Sequence, residues 1–215
     1  METEKFDQGA YWKKRHRDFR NDPRSVGNAA ASIEHNYEGE RDLQGAVSEL
    51  AGFLRQRKYS SVLDLGCGYG RVAGSLISKG FSYTGIDISD EAIKTAKKNH
   101  PKGVFLQGDL RELNIAKKFD VVLILYVLVH FTEDEDWRKF LAAACQRVKR
   151  DGCLLFADYF PPERISPVPH VVSRPLAQYN EELAKLGFTA DSRLQQQISL
   201  IPYDSAKVFK AARAL

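Results

Sequence analysis

The chain has 215 residues, of which 43% are hydrophobic and 28% charged, and this length predicts one domain with a sizeable core. Apolar content near the globular average excludes a disordered chain, and 15 glycines with 8 prolines exclude a collagen-like one. The formal net charge of +4 is a mild excess, which argues against a nucleic-acid partner because nucleic-acid-binding proteins concentrate a basic face.

Cysteine usage and hydropathy indicate a protein of a reducing compartment. The 3 cysteines have no paired spacing, which argues against a disulfide framework and against a zinc or redox motif. The N-terminal residues are charged and show no apolar signal segment. The longest apolar run, residues 121–129, falls short of the roughly 20 residues that a membrane helix needs. We therefore expect a soluble, cytoplasmic protein without membrane contact, and the oligomeric state stays open.

Residues 1–58 are polar and are predicted to form a helical segment ahead of the main domain. Residues 27–39 read as a loop, and apolar residues then recur at three- and four-residue spacing, which predicts a helix over residues 41–57. The basic cluster of residues 13–17 has acidic neighbours. It is typical of a solvated helix face, with a contact for an anionic group as the alternative.

From residue 59 onward, short apolar strands alternate with helices. Ser89 is predicted to cap one helix, and Thr132 with Glu135 is predicted to form a capping box at another. A proline-rich loop over residues 161–169 precedes a helix near residues 178–185. The predicted strands are residues 61–65, 83–87, 104–107, 119–125 and 153–157, followed by two strand-like segments near residues 193–198 and 207–211.

This alternation predicts an α/β fold for residues 59–215, with a doubly wound, mostly parallel seven-stranded sheet and helices on both faces. The last two strands lack a full intervening helix, so one of them is expected to be antiparallel at the sheet edge. In such a sheet, ligands bind beyond the carboxyl ends of the strands, where the strand order reverses.

Acidic residues follow three successive predicted strands. The first strand runs into Asp64-Leu65-Gly66-Cys67-Gly68-Tyr69-Gly70, whose glycine spacing differs from the dinucleotide fingerprint. Asp87 ends the second strand, where one carboxylate can accept hydrogen bonds from both ribose hydroxyls. Asp109 follows the third, where it could accept from an exocyclic amino group. Each residue alone could serve only a turn or a cap. Together they favour a cationic nucleoside ligand over a pyrophosphate.

These motifs resemble the class I S-adenosylmethionine-dependent methyltransferases, the seven-stranded Rossmann-like family, over residues 60–215. The resemblance implies S-adenosylmethionine as cofactor, S-adenosylhomocysteine as product, and methyl transfer to a hydroxyl or amine of a small molecule. It also implies that residues 1–58 form a helical lid that closes over the cofactor. The cofactor-binding residues that it implies are Tyr11, Trp12, Arg15, Asp64, Gly66, Cys67, Gly68, Tyr69, Gly70, Asp87, Ile88, Asp109, Leu110, Leu125 and Tyr126.

Within that set the resemblance implies distinct roles. Asp64, the glycine loop, Leu125 and Tyr126 would surround the methionine portion, and Asp87 would hold the ribose. Ile88 and Leu110 would pack against the adenine, whose amino group Asp109 would face. The cofactor carboxylate would meet Tyr11, Trp12 or Arg15.

The candidate catalytic residue is His130, which follows the fourth strand. Imidazole is suited to proton transfer near neutral pH, so His130 is a candidate general base, with a structural or pocket-lining histidine as the alternative. His170, beyond the proline-rich loop, belongs either to a lid or to an exposed loop. The further acceptor-binding candidates are Asp158, Tyr159, His35 and Tyr37. No set of metal ligands follows the fourth and fifth strands, so transfer is expected to need no metal.

Three alternatives to a small-molecule methyltransferase remain open. A macromolecular acceptor such as tRNA or protein is supported only by the basic cluster of residues 13–17. A catalytically silent partner subunit would bind the cofactor without turnover. A nicotinamide-dependent oxidoreductase is disfavoured by the glycine spacing.

Overall fold

A central seven-stranded sheet organises the chain. The computed structural model describes residues 6–20, 22–199 and 208–214, with side chains described for residues 6–20 and 22–196. The strands are β1 (Ser61–Leu65), β2 (Ser82–Asp87), β3 (Val104–Gln107), β4 (Phe119–Leu125), β5 (Val148–Asp158), β6 (Ile165–Val168), β7 (Val171–Ser173), β8 (Phe188–Ala190) and β9 (Val208–Ala214). The helices are α1 (Gln8–Asp18), α2 (Ile33–Gln56), α3 (Ala73–Ser78), α4 (Asp90–Asn99), α5 (Asp134–Cys145), α6 (Leu176–Lys185) and α7 (Ser192–Ser199).

The strand order is β3-β2-β1-β4-β5-β9-β8, and β6 pairs with β7 in a separate hairpin. Strands β1 to β5 are mutually parallel, and β9 is antiparallel to both of its neighbours. The order reverses between β1 and β4, so the carboxyl ends of these two strands define the crevice where such sheets bind ligands. The predicted doubly wound, mostly parallel sheet is confirmed.

Two apolar layers cover the two faces of the sheet. Side chains alternate along β1, so that Val62 joins the layer that packs α2, α3, α4 and α7, while Leu63 joins the layer that packs α5 and α6. The apolar stripe of α2 is buried in the first layer, so this helix packs directly on the sheet. The division of the chain at residue 58 remains a prediction.

Four predictions for particular elements are wrong. Residues 33–39 are not a loop, because α2 begins at Ile33, where the Ser32 hydroxyl caps the amide of His35. Residues 161–169 are not wholly irregular, since β6 lies within them. Residues 193–198 lie in α7, whose Leu194 is fully buried, and not in a strand. One of the last two predicted strands is antiparallel, as expected, since β9 is antiparallel to both of its neighbours; its predicted place at the edge is wrong, because β9 lies between β5 and the edge strand β8.

The predicted capping box at Thr132 is also wrong. Helix α5 begins at Asp134 after Glu133, which makes no side-chain cap. The Thr132 carbonyl instead accepts a hydrogen bond from Arg174, and Glu135 pairs with Lys139. The fully buried Arg174 guanidinium also binds the side chain of Asp134, the first residue of α5.

A capping test follows from the start of α4. The Ser89 hydroxyl is fully buried and accepts from the amide of Ala92 at 3.3 Å. We expect Ser89→Ala to lower the free energy of unfolding by about 1 kcal/mol, because this amide loses its partner. Urea denaturation measures the change. Glu133→Ala is the matched control, and an equal loss in both variants would contradict the capping role.

No helix within the described ranges is both long and apolar enough to cross a lipid bilayer.

Candidate active site

A cleft opens at the carboxyl ends of β1 to β4, with α1 lying across it. Its cavity volume is about 150 Å³, and the cleft is open to solvent at its mouth. The predicted site residues that line it are Trp12, Gly66, Cys67, Gly68, Asp87, Ile88, Asp109, Leu110, Leu125, Tyr126 and His130. The residues that line it and were not predicted from the sequence include Gln8, His16, Val26, Arg71, Arg111 and Asp136.

The glycine loop after β1 adopts a backbone that favours glycine. Gly66, Gly68 and Gly70 have φ values of +82°, +54° and +83°, a backbone conformation that residues with a Cβ rarely adopt. A Cβ at Gly66 would collide with the side chain of Val127. The amides of Gly66 and Cys67 both donate to the carbonyl of Ile86, which ties the loop to β2. The loop thus presents bare backbone at the floor of the cleft.

Asp87 is held in place by backbone on both sides. Its Oδ2 accepts from the amide of Gly68 and its Oδ1 from the amide of Ser89, each at 2.9 Å. The residue is 8% exposed and lines the cleft. Since each carboxylate oxygen can accept a second hydrogen bond, both keep accepting capacity for a ligand.

Asp64 lies beneath the glycine loop and does not line the cleft. It is 2% exposed, and its Oδ2 accepts from the Tyr83 hydroxyl at 2.5 Å. Burial raises the pKa of Asp64 to about 7, against the opposing effects of the Tyr83 hydroxyl and Arg71. Asp64 therefore joins β1 to β2 inside the core through the Tyr83 hydroxyl.

This raised pKa predicts a pH dependence of stability. In the unfolded chain an aspartate has a pKa of about 3.9, so below that pH the Asp64 carboxyl is protonated in both states. Between about pH 3.9 and about pH 7, only the folded state keeps the proton. The free energy of unfolding therefore falls as pH rises between these values, by up to about 1.4 kcal/mol per pH unit from this group.

Urea denaturation from pH 5 to pH 8 tests this, with Asp64→Asn beside the wild type. We expect wild type to lose stability relative to Asp64→Asn up to about pH 7 and the difference then to level off. Asp90→Asn is the control, because hydrogen bonding to Lys94 lowers the pKa of Asp90. If the difference in free energy of unfolding between wild type and Asp64→Asn does not vary with pH, Asp64 is not protonated in the folded state.

Asp109 lies at the cleft, where Arg111 engages it. Although burial raises its pKa, hydrogen bonds from the Arg111 side chain and amide hold the pKa of Asp109 below its usual value. The Arg111 guanidinium binds both carboxylate oxygens, with its Nη2 at 2.7 Å from Oδ2. Any contact of Asp109 with a ligand therefore shares its oxygens with this arginine.

Arg15 is a structural clasp for α1. Its guanidinium donates to the carbonyls of Arg24 and Gly27 and to the Tyr11 hydroxyl. Neither Tyr11 nor Arg15 lines the cleft, whereas Trp12 does. Two arginines line the cleft: Arg111, which pairs with Asp109, and Arg71, whose guanidinium lies 6.0 Å from the centre of the Tyr126 ring. Within the described part of the chain, no ion pair with a carboxylate includes Arg71. Its position directly after the glycine motif was the available sequence signal.

His130 lies in a short 3₁₀ helix after β4 and lines the cleft. Its Nδ1 is 3.0 Å from the carbonyl of His170, at the tip of the β6–β7 hairpin. Because a carbonyl only accepts, Nδ1 carries the proton and Nε2 keeps its lone pair. Burial lowers the pKa of His130 to about 4. The ring is therefore neutral near pH 7.

The hairpin tip also meets α1. The His170 ring lies 4.4 Å from the Tyr11 ring, and the His170 carbonyl also accepts from Gln8. Trp12 contacts the His130 ring edge-on at 4.7 Å. α1, the hairpin and His130 thus close one side of the cleft.

Asp158 is buried and holds the backbone of the residue before His130. It is 1% exposed and accepts from the amide of Val129 at 3.0 Å and from the Tyr179 hydroxyl at 3.4 Å. Burial raises the pKa of Asp158 to about 7. Its neighbour Tyr159 is 42% exposed, and neither residue lines the cleft.

The remaining predicted residues lie outside the cleft. Tyr69 and Tyr37 line a neighbouring pocket between α1, α2 and α4, where the Tyr69 hydroxyl donates to Glu40 at 2.8 Å. His35 is exposed on α2. The Cβ position of Gly70 faces the ring of His100.

Comparison with known proteins places the fold. Residues 62–152 match the family model described as a methyltransferase domain. Magnesium protoporphyrin IX methyltransferase from Synechocystis PCC 6803 superposes with a TM-score of 0.72 and 17% identity, over 99% of this chain and 100% of that one. A sugar N-methyltransferase from Streptoalloteichus superposes with a TM-score of 0.67 and 14% identity, over 86% and 94%. At these identities the likeness concerns the fold.

Closer sequence relatives cover part of the chain. A ubiquinone biosynthesis O-methyltransferase from Rickettsia canadensis is 35% identical over 119 residues, 54% of this chain and 49% of that protein. Its counterpart from Rickettsia typhi is 36% identical over 100 residues, 45% and 39%. The chain thus spans about half or less of the length of these curated relatives. The resemblance to class I S-adenosylmethionine-dependent methyltransferases is confirmed.

Proposed function

We propose that this chain is an S-adenosylmethionine-dependent methyltransferase that acts on a hydroxyl, or an amine, of a small molecule. The observation that carries the proposal is the buried Asp87 carboxylate, fixed between the glycine loop and α4 with accepting capacity toward the cleft. The O-methyltransferase names of the two Rickettsia relatives favour a hydroxyl acceptor.

The residues present fit this cofactor. Asp87 would accept from the ribose hydroxyls, Ile88 and Leu110 would flank the adenine, and the glycine loop would admit the methionine portion to its backbone. We assign the cofactor carboxylate to Arg71, because Arg15 is already bound by the carbonyls of Arg24 and Gly27. S-adenosylmethionine, when bound, supplies a methyl group on a positively charged sulfur and leaves as S-adenosylhomocysteine.

His130 is the proposed general base. The hydrogen bond from Nδ1 to the His170 carbonyl leaves Nε2 to accept the proton of the acceptor hydroxyl as its oxygen bonds to the methyl carbon. Asp158 is a positioning residue, since it holds the amide of Val129 beside His130. α1 is the proposed lid, because it lies across the cleft mouth through Trp12. Holding the acceptor in line with the methyl group supplies much of the acceleration.

Transfer without a metal remains a prediction. The described residues contain no group of three or more His, Cys, Asp or Glu side chains placed to hold a metal ion.

A macromolecular acceptor is the competing proposal. Lys13, Lys14 and Arg17 are exposed on the outer face of α1 and are its only support. A silent partner subunit would bind the cofactor and transfer nothing.

A labelling experiment distinguishes the three proposals for the acceptor. The protein is incubated with a lysate and S-adenosylmethionine carrying a labelled methyl group, and the lysate is then separated by ultrafiltration. We expect label in the filtrate with wild type and none with Asp87→Ala. Label retained above the filter would overturn the small-molecule acceptor in favour of RNA or protein. Cofactor binding without label in either fraction would support the silent subunit.

A further inference from the structure

One face of α1 carries polar atoms into the cleft. Gln8, Trp12 and His16 follow each other at four-residue spacing, so they share one face of the helix, and all three line the cleft. Lys13, Lys14 and Arg17 are exposed on the other side. The roof of the cleft is thus built from a histidine, a tryptophan and an amide.

His16 is the unexplained member of this face. It is 5% exposed, and neither ring nitrogen has a hydrogen-bond partner among the described residues. The Trp12 backbone, one turn earlier, lies near enough to raise the pKa of His16, although neither ring nitrogen meets it within hydrogen-bond geometry. Buried imidazole nitrogens are nearly always paired, so a ring with two unpartnered nitrogens facing a cleft indicates a missing ligand.

The position of His16 identifies the part of the ligand that it faces. Burial lowers the pKa of His16, and the Asp87 carboxylate opposes that effect. Both line the same cleft, beside Gly68 and Val26. Asp87 can only accept hydrogen bonds when ionised, whereas neutral imidazole both donates and accepts. A ribose hydroxyl that donates to Asp87 still needs a donor for its oxygen.

We propose that His16 binds a ribose hydroxyl of the cofactor from the lid side, opposite Asp87, so that the ribose is clamped between β2 and α1. This rests on the proposed function, because the ribose is that of S-adenosylmethionine. The clamp requires α1 to be seated, and the Arg15 clasp to the carbonyls of Arg24 and Gly27 holds it there.

Calorimetric titration of S-adenosylhomocysteine tests the clamp. We expect His16→Phe, which keeps the ring shape and removes both nitrogens, to bind about tenfold more weakly than wild type. Arg17→Gln, on the solvent side of the same helix, is the matched control and should bind as wild type does. We expect the ligand-free melting temperature of His16→Phe not to fall, because no protein hydrogen bond is lost.

Analogues of S-adenosylhomocysteine that lack the 2′-hydroxyl or the 3′-hydroxyl identify the contact. Wild type should discriminate against both, and His16→Phe should lose most of its discrimination against one of them. Equal discrimination in wild type and His16→Phe, for both analogues, would overturn the clamp. If His16→Phe fails to fold, His16 has a structural role and the clamp is also overturned. Failure of wild type itself to bind S-adenosylhomocysteine would instead overturn the proposed function.

Discussion

Replacing Asp87 with alanine is expected to weaken the binding of S-adenosylhomocysteine by at least about 100-fold. A charged acceptor contributes roughly 1.5–3 kcal/mol for each hydrogen bond, and about 2.7 kcal/mol corresponds to 100-fold. Asp87→Ala removes the acceptor for the ribose and also frees the amides of Gly68 and Ser89. The glycine loop thereby loses one of its anchors to β2 and α4. Calorimetric titration measures the loss directly.

Two further variants separate ligand binding from loop support. Asp87→Asn keeps one accepting oxygen but turns an amino group toward one of the two backbone amides. We therefore expect an intermediate loss of affinity for S-adenosylhomocysteine. Asp90→Ala is the control for charge, since Asp90 is a partly exposed carboxylate on α4 that pairs with Lys94. We expect wild-type affinity for it. Equal affinities of wild type and Asp87→Ala would remove the main support for the proposed function.

Replacing His130 is expected to lower kcat by about 10²–10⁴-fold while leaving the affinity for S-adenosylhomocysteine nearly unchanged, because a general base acts on the acceptor proton and not on the cofactor. The informative variant is His130→Asn. Its side-chain amide can still donate to the His170 carbonyl, as Nδ1 does, but it has no counterpart of Nε2. We expect His130→Asn to lose as much activity as His130→Phe.

If His130→Asn keeps the activity that His130→Phe loses, His130 is not the general base and instead holds the β6–β7 hairpin in place. The pH profile gives a second readout. A base works above its pKa, and burial lowers the pKa of His130 to about 4. We therefore expect no loss of kcat from this group between pH 8 and about pH 5.5, whereas a histidine with an ordinary pKa near 6.5 would lose activity there.

Local patterns of apolar residues predicted most strands of the sheet, and tertiary packing did not change those strands. The strand at residues 104–107 and the strand at residues 119–125 have the predicted ends, because runs of apolar residues bounded by turn residues have few alternatives in a parallel sheet. The prediction of a strand at residues 193–198 is wrong because these residues are polar except on one face. Burial of Leu194 against the sheet then selects a helix.

At the site, the sequence alone determined the glycine loop and the acidic residues at the ends of β2 and β3, because the end of a parallel strand places its next residues at one edge of the sheet. Tertiary structure decided which residues of the N-terminal segment reach that edge. The sequence offered Tyr11, Trp12 and Arg15 as candidates in this segment, and their spacing cannot tell which face of the helix is covered. Contacts distant in the chain, above all the clasp from Arg15 to the Gly27 carbonyl, rotate Trp12 and His16 into the cleft and turn Arg15 away from it.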